Sequence, residues 1–297
     1  MKRNITPLLL EWKKDTSRKA LLVRGARQVG KTYSVRGLAK TFKHYLEVNF
    51  EEERAVKQFF IDSLNPSVLC QKLSAYFATP IIPGQTLIFF DEIQECPEAL
   101  SSLRFFYEKM PTLHVAAAGS LLEFVIAEIP SQGVGRIHSL HMYPMSFDEF
   151  LAAVGEDKLM DLKNNADVDN PLDEIFHRKM IDYLKIYYLI GGMPEVVQKY
   201  VDKKDILSCQ GKLNDLIKTF RDDFAKYKKR SPLQRLREVF DSIALQAGGK
   251  FKYSNIDSHS SHNSLKEALD LIVQAGLAYK VYHTSAQGAP LGAQVRA

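Results

Sequence analysis

Eight consecutive residues, Gly25-Ala26-Arg27-Gln28-Val29-Gly30-Lys31-Thr32, fill the pattern G-x-x-x-x-G-K-[ST] without a mismatch. Such a loop is suited to holding phosphate. Its backbone N–H groups and the N-terminus of the helix that follows point at phosphate oxygens. Lys31 is placed to reach the β- and γ-phosphates, and the Thr32 hydroxyl to ligate Mg²⁺. All eight residues are therefore candidates for nucleotide binding. ATP is the expected nucleotide, because the chain has no N-K-x-D motif for reading a guanine base.

Hydrolysis also needs a metal site, an activated water and compensation for transition-state charge. Leu87-Ile88-Phe89-Phe90-Asp91-Glu92 is an apolar strand that ends on two carboxylates, the Walker B arrangement. Asp91 is expected to hold Mg²⁺ through its water shell, and Glu92 to orient and deprotonate the attacking water. Ser120 ends the next apolar run, where its hydroxyl can cap a helix and also sense the γ-phosphate or its water. Asn49 is either a turn residue or a side chain that holds Glu92 inactive. For charge compensation Arg136 is favoured over Arg104 and Arg27, and whether it acts within its own chain or on a neighbour is left open. His138 and His141 have no carboxylate or cysteine at ligand spacing, so packing or surface roles are expected for them.

These residues need elements to position them. Ile5–Trp12 reads as a helix, Ala20–Val23 as a buried strand, and Tyr33–Phe42 as the helix behind the loop. A strand over His44–Phe50 is followed by helices over Glu51–Leu64 and Ser67–Ala78. Thr86–Phe90, Leu113–Ala118 and Val134–Met142 read as further strands, with a helix over Pro97–Met110. Strands alternating with helices predict a parallel α/β sheet covered on both faces, a P-loop NTPase fold. The polar stretch Asn164–Pro171 reads as a linker. Helical periodicity then runs to about Tyr227, broken at Gly191-Gly192-Met193-Pro194. Helices over Leu233–Ala247, Tyr253–Ser258 and Ser264–Ala275, then a strand over Leu277–His283, follow the order of a winged helix-turn-helix. The expected domains are thus a P-loop ATPase domain (1–155), a helical lid (171–230), a winged helix (231–284) and a short tail (285–297).

A chain of 297 residues suits two or three domains, and 45% hydrophobic with 25% charged residues is the balance of a globular protein. No apolar run approaches a membrane span, and the Met1-Lys2-Arg3-Asn4 start lacks the pattern of a signal peptide. Three unclustered cysteines, Cys70, Cys96 and Cys209, are expected as free thiols in a reducing cytoplasm. Lys226-Tyr227-Lys228-Lys229-Arg230 is the densest basic cluster, read as a solvated helix end or as a contact to a phosphate backbone.

Several motifs together resemble one family. They are the phosphate loop, Asp91-Glu92-Ile93-Gln94, Ala118-Gly119-Ser120-Leu121-Leu122, Val134-Gly135-Arg136, Tyr143-Pro144-Met145-Ser146-Phe147-Asp148-Glu149-Phe150-Leu151 and Gly191-Gly192-Met193-Pro194-Glu195. The chain resembles prokaryotic AAA-type ATPases that pair an AAA_14 domain with a DUF4143 region. The resemblance implies an ATPase core of the additional-strand class, with Lys31, Thr32, Asp91, Glu92 and Ser120 in the roles given above. It also implies a further α/β region after the winged helix, so a fragment or a shortened version is expected here. The leading reading is a Mg²⁺-dependent ATP switch coupled to a C-terminal module that engages DNA or protein, with a homo-oligomer or an unknown protein partner left open. The alternative is a DNA-binding regulator that holds ATP with little turnover. One phosphate loop leaves no room for the second motor domain of a helicase.

Overall fold

The computed structural model describes residues 1–120, 122, 135–227, 231–256 and 261–284. Two compact units divide the chain, Met1–Lys218 and Thr219–Ala297.

The first unit is built on five parallel strands: β1 (Ala20–Arg24), β2 (His44–Asn49), β3 (Thr86–Asp91), β4 (His114–Ala118) and β5 (Ile137–His141). Their order in the sheet is β2-β3-β4-β1-β5. β4 thus stands between the strand ahead of the phosphate loop and the strand that ends on Asp91. Every strand pair is parallel, so all C-terminal ends share one edge.

Period-two alternation sends successive side chains to opposite faces of the sheet, and both faces are buried. Leu22, Leu46, Ile88, Phe90 and Ala117 point into one core. It is closed by α3 (Lys57–Asp62), α4 (Pro66–Tyr76) and α5 (Pro97–Lys109), through Phe60, Leu69, Leu73, Leu103 and Phe106. Leu21, Val23, Leu87, Phe89 and Ala118 point into the other. There α1 (Ile5–Lys14) and α2 (Lys31–Ala39) supply Leu9, Trp12, Val35 and Leu38. The helix expected over Glu51–Leu64 is in fact a 3-10 turn, Arg54–Val56, followed by the shorter α3. Asn49 explains the late start: its Oδ1 accepts the Glu51 N–H at 2.9 Å, turning the chain before a helix can begin.

His114, the first residue of β4, is 5% exposed. It packs edge-on to Trp12 and Phe42, with Nε2 3.1 Å from the Lys13 carbonyl oxygen. Burial lowers its pKa to about 4. The imidazole stays neutral in the fold while the unfolded chain takes up a proton below about pH 6.5. The resulting stability is complete above that pH and is lost as pH falls through the folded value near 4. Urea unfolding at pH 7 and pH 5 should differ by on the order of 2 kcal/mol from this group. His114→Gln should remove that difference; an unchanged pH dependence would assign it elsewhere.

Beyond the sheet, α6 (Phe147–Ala153) opens on a capping box. The Ser146 hydroxyl accepts the Glu149 N–H at 3.2 Å, while Glu149 Oε2 accepts the Ser146 N–H at 2.8 Å. α7 (Asp157–Asn165), α8 (Glu174–Ile190), α9 (Pro194–Lys203) and α10 (Gln210–Asp223) follow. The fully buried Phe150 ring lies against Tyr183 and Tyr187 of α8 and Tyr200 of α9, holding α6, α8 and α9 together.

In the second unit α11 (Leu233–Gln246) pairs with α12 (His262–Gln274), separated by a 3-10 turn at Tyr253–Asn255. Leu236 and Val239 are buried on α11, as are Leu265, Ala268 and Ile272 on α12. The strand expected over Leu277–His283 is not present among the described residues, where only a single bridge residue, Thr284, follows the segment. Val281 there is 95% exposed. Among the described residues, the winged-helix expectation is met by its helix pair alone, and its wing is not seen. The tail from Ser285, the basic residues Lys228–Arg230 and Val134 lie outside the described residues, and Lys226 and Tyr227 are described only in their backbone. Among the described residues no helix is long and apolar enough to cross a membrane.

Candidate nucleotide site

The phosphate loop bridges β1 and α2 at the C-terminal edge of the sheet. Its tight turn depends on Gly25, at φ 140°, which lies directly against the main chain after β5. A Cβ at this position would stand 2.1 Å from the Met142 carbonyl oxygen, a backbone atom with no room to move. Ala26 and Val29 are buried and tie the loop to the core, while Gln28 takes a left-handed φ of 62°. Lys31 is 8% exposed. Its Nζ donates to the carbonyl oxygens of Gly25 at 3.0 Å and Ala26 at 2.8 Å, inside the ring of its own loop. Burial lowers its pKa to about 8, against the opposing pull of Glu92 and Asp91.

Thr32 and Asp91 meet, although 59 residues separate them: the Thr32 hydroxyl donates to Asp91 Oδ2 at 2.9 Å. Asp91 is 4% exposed. Burial raises its pKa to about 6, the Glu92 charge adds to the rise, and the Thr32 hydrogen bond opposes it. A buried carboxylate beside a hydroxyl is a hard-oxygen pair that a divalent cation would stabilise, so these residues fit Mg²⁺. Among the described residues no cluster of His, Cys, Asp and Glu forms a second metal site.

Glu92 takes a left-handed φ of 48°. For a non-glycine residue this stores about 1–3 kcal/mol of strain, held by the structure around it. Ser120, at the end of β4, donates its hydroxyl to Glu92 Oε2 at 3.4 Å and accepts from Arg27 Nε at 3.4 Å. Loop, Asp91, Glu92 and Ser120 therefore converge on one edge of the sheet. Asn49 is spent on its own turn and does not restrain Glu92.

Arg136 is not brought to this edge. It precedes β5, whose first residue Ile137 pairs with Ala20 at the start of β1. A strand of this length places it about 15 Å from the loop, at the opposite edge of the sheet. There its Nε pairs with Glu108 Oε1 at 2.5 Å. Arg104 lies over the Phe105 ring on α5. His141 stacks on Tyr143, and the three cysteines are free and buried.

Two further residues join the site, Gln94 from the Asp91-Glu92-Ile93-Gln94 motif with no role assigned to it by the sequence, and Arg3 with no sequence signal at all. Gln94 donates Nε2 to Glu92 Oε2 at 2.6 Å. Arg3 is buried and forked: Nε pairs with Glu149 Oε1 at 2.9 Å, one amino group donates to Val29 O at 2.6 Å and the other to Tyr143 O at 2.7 Å. It thereby ties the loop to the cap of α6. Arg3, Gln28, Gly30, Tyr33, Pro194 and Lys199 line a cavity of about 510 Å³ between the loop and α9.

Comparison with known proteins agrees with this architecture. Residues 17–151 match the AAA_14 family, described as an AAA domain, and this stretch holds the loop, Asp91, Glu92 and Ser120. Residues 181–296 match DUF8612, a domain of unknown function, which corrects the expected DUF4143 region. No curated protein matches the chain. Among solved structures it is similar to the Walker-type ATPase of Pyrococcus abyssi, at 17% identity over 92% of this chain and 89% of that one, with a TM-score of 0.59. It also aligns with the Orc1 protein of Aeropyrum pernix in complex with DNA, at 13% identity over 93% and 84% of the two chains, with a TM-score of 0.38. Residues 17–151 are thus similar to an AAA domain, and the parallel five-stranded sheet with its helices is a fold shared with the Pyrococcus abyssi ATPase.

Proposed function

We propose that this chain is a Mg²⁺-dependent ATPase that works as a switch, passing its nucleotide state to the helices after residue 150. The supporting observation is the convergence of Thr32 with Asp91, and of Ser120 with Glu92, at the loop's edge of the sheet. The loop amides and Lys31 bind the phosphates, and the cavity between loop and α9 takes the base and sugar. Thr32 and Asp91 would hold Mg²⁺, which would supply positive charge to offset that on the phosphate oxygens. Glu92 accepts a proton from the attacking water as its oxygen bonds to the γ-phosphorus and the bond to the β-phosphate oxygen breaks.

Within one chain Arg27, beside Ser120, is the arginine placed to offset the charge that develops. Arg136 would reach a γ-phosphate only on a neighbouring copy in a homo-oligomer. Arg3 links the loop to α6, so a change in the loop has a path to the helical region. The alternative of a DNA-binding regulator draws little support from α12, whose Lys266 is balanced by Glu267 and Asp270.

Turnover of ATP measured with Mg²⁺, with chelator, and with duplex DNA at two salt concentrations tests the proposal. Phosphate release that stops with chelator and does not respond to DNA is expected. Tight, steeply salt-dependent DNA binding with negligible turnover would favour the regulator instead.

A further inference from the structure

Gln94 follows β3 in a short 3-10 turn, Ile93–Glu95, anchored by the fully buried Ile93. The two ends of its side-chain amide face different surroundings. Nε2 donates to Glu92 Oε2 at 2.6 Å. Oε1 is sealed from solvent and meets no donor among the described residues. It rests instead against the bare Cα of Gly119, where a Cβ would come within 2.3 Å of it. Turning the amide over would set its oxygen against the Glu92 carboxylate, acceptor to acceptor, so the donor end is locked toward Glu92.

Ser120 donates to the same carboxylate oxygen, at 3.4 Å. Glu92 is thus held through Oε2 alone, and among the described residues Oε1 carries no hydrogen bond. A general base held by one oxygen and open at the other is oriented for one proton transfer.

We infer that Gln94 is a positioning residue for Glu92, and that Gly119 is the space its amide requires. The inference rests on the ATPase reading, with Glu92 as base. Nothing in it needs Gln94 to touch nucleotide. Its effect should therefore fall on kcat, leave nucleotide affinity alone, and vanish when Glu92 can no longer take a proton.

The test uses the full chain, steady-state ATP hydrolysis and equilibrium nucleotide binding. Gln94→Leu, which fills the same space without a donor, is expected to lower kcat about tenfold or more, with nucleotide Kd within about twofold. Gly119→Ala should do the same by displacing the amide, yet add nothing on top of Gln94→Leu. In a Glu92→Gln background, Gln94→Leu should leave the residual rate unchanged. Wild-type kcat in Gln94→Leu would overturn the inference while leaving the ATPase reading intact. So would an equal fold-loss with and without Glu92, or a loss of nucleotide affinity that marks a merely structural role. Wild-type turnover in Glu92→Gln itself would overturn the base assignment, and with it the positioning role.

Discussion

Lys31→Ala is expected to abolish nucleotide binding and, with it, turnover. The ammonium is already buried and aimed inside its loop by the Gly25 and Ala26 carbonyl oxygens, so little side-chain order remains to be imposed when phosphate arrives. A charge-assisted hydrogen bond contributes about 1.5–3 kcal/mol, and one ammonium serving two phosphates should account for a loss of about a hundredfold or more in affinity. Titration with a fluorescent ATP analogue measures it, and binding within twofold of wild type would refute the site. The wild-type chain carries a second signature. With its pKa lowered to about 8 by burial, Lys31 loses its proton as pH rises through that value, whereas bound phosphate favours the protonated form. Affinity should therefore fall as pH climbs past 8, with proton uptake on binding seen by calorimetry in two buffers. Lys31→Ala should lack both effects.

Glu92→Gln is expected to keep ATP bound while slowing hydrolysis by about 10²–10⁴-fold, the range set by loss of a general base. The amide preserves size and can still occupy the left-handed backbone position, but it cannot accept the water's proton. Single-turnover phosphate release beside equilibrium binding separates the two effects. Wild-type turnover in this variant would remove Glu92 from the mechanism.

Legibility from the sequence tracked locality. The phosphate loop and the Asp91-Glu92 strand end are contiguous signals, because glycine turns and apolar runs announce themselves within a few residues. Ser120 was readable for the same reason, at the end of an apolar run. Arg3 was not, since its partner Glu149 lies 146 residues away and nothing local distinguishes it from a solvated arginine. Gln94 stood in a quoted motif, but its contact with Gly119, just past the end of β4, was not legible because the two lie far apart in sequence. Arg136 depends on topology: a residue ahead of a strand in a parallel sheet stands at the edge opposite the phosphate loop, and the direction of a strand within its sheet is not a local property.

Leu21 pairs with Ala116 and Val23 with Leu140, so the strand that launches the phosphate loop waits for neighbours roughly a hundred residues downstream. During synthesis the loop emerges early but has no wall to lean on until β4 and Met142 have followed. Pairings of such long range close slowly, and the cradle closes with them. Nucleotide capture, as proposed for this loop, would thus come late in the life of the nascent chain, once the sheet is complete.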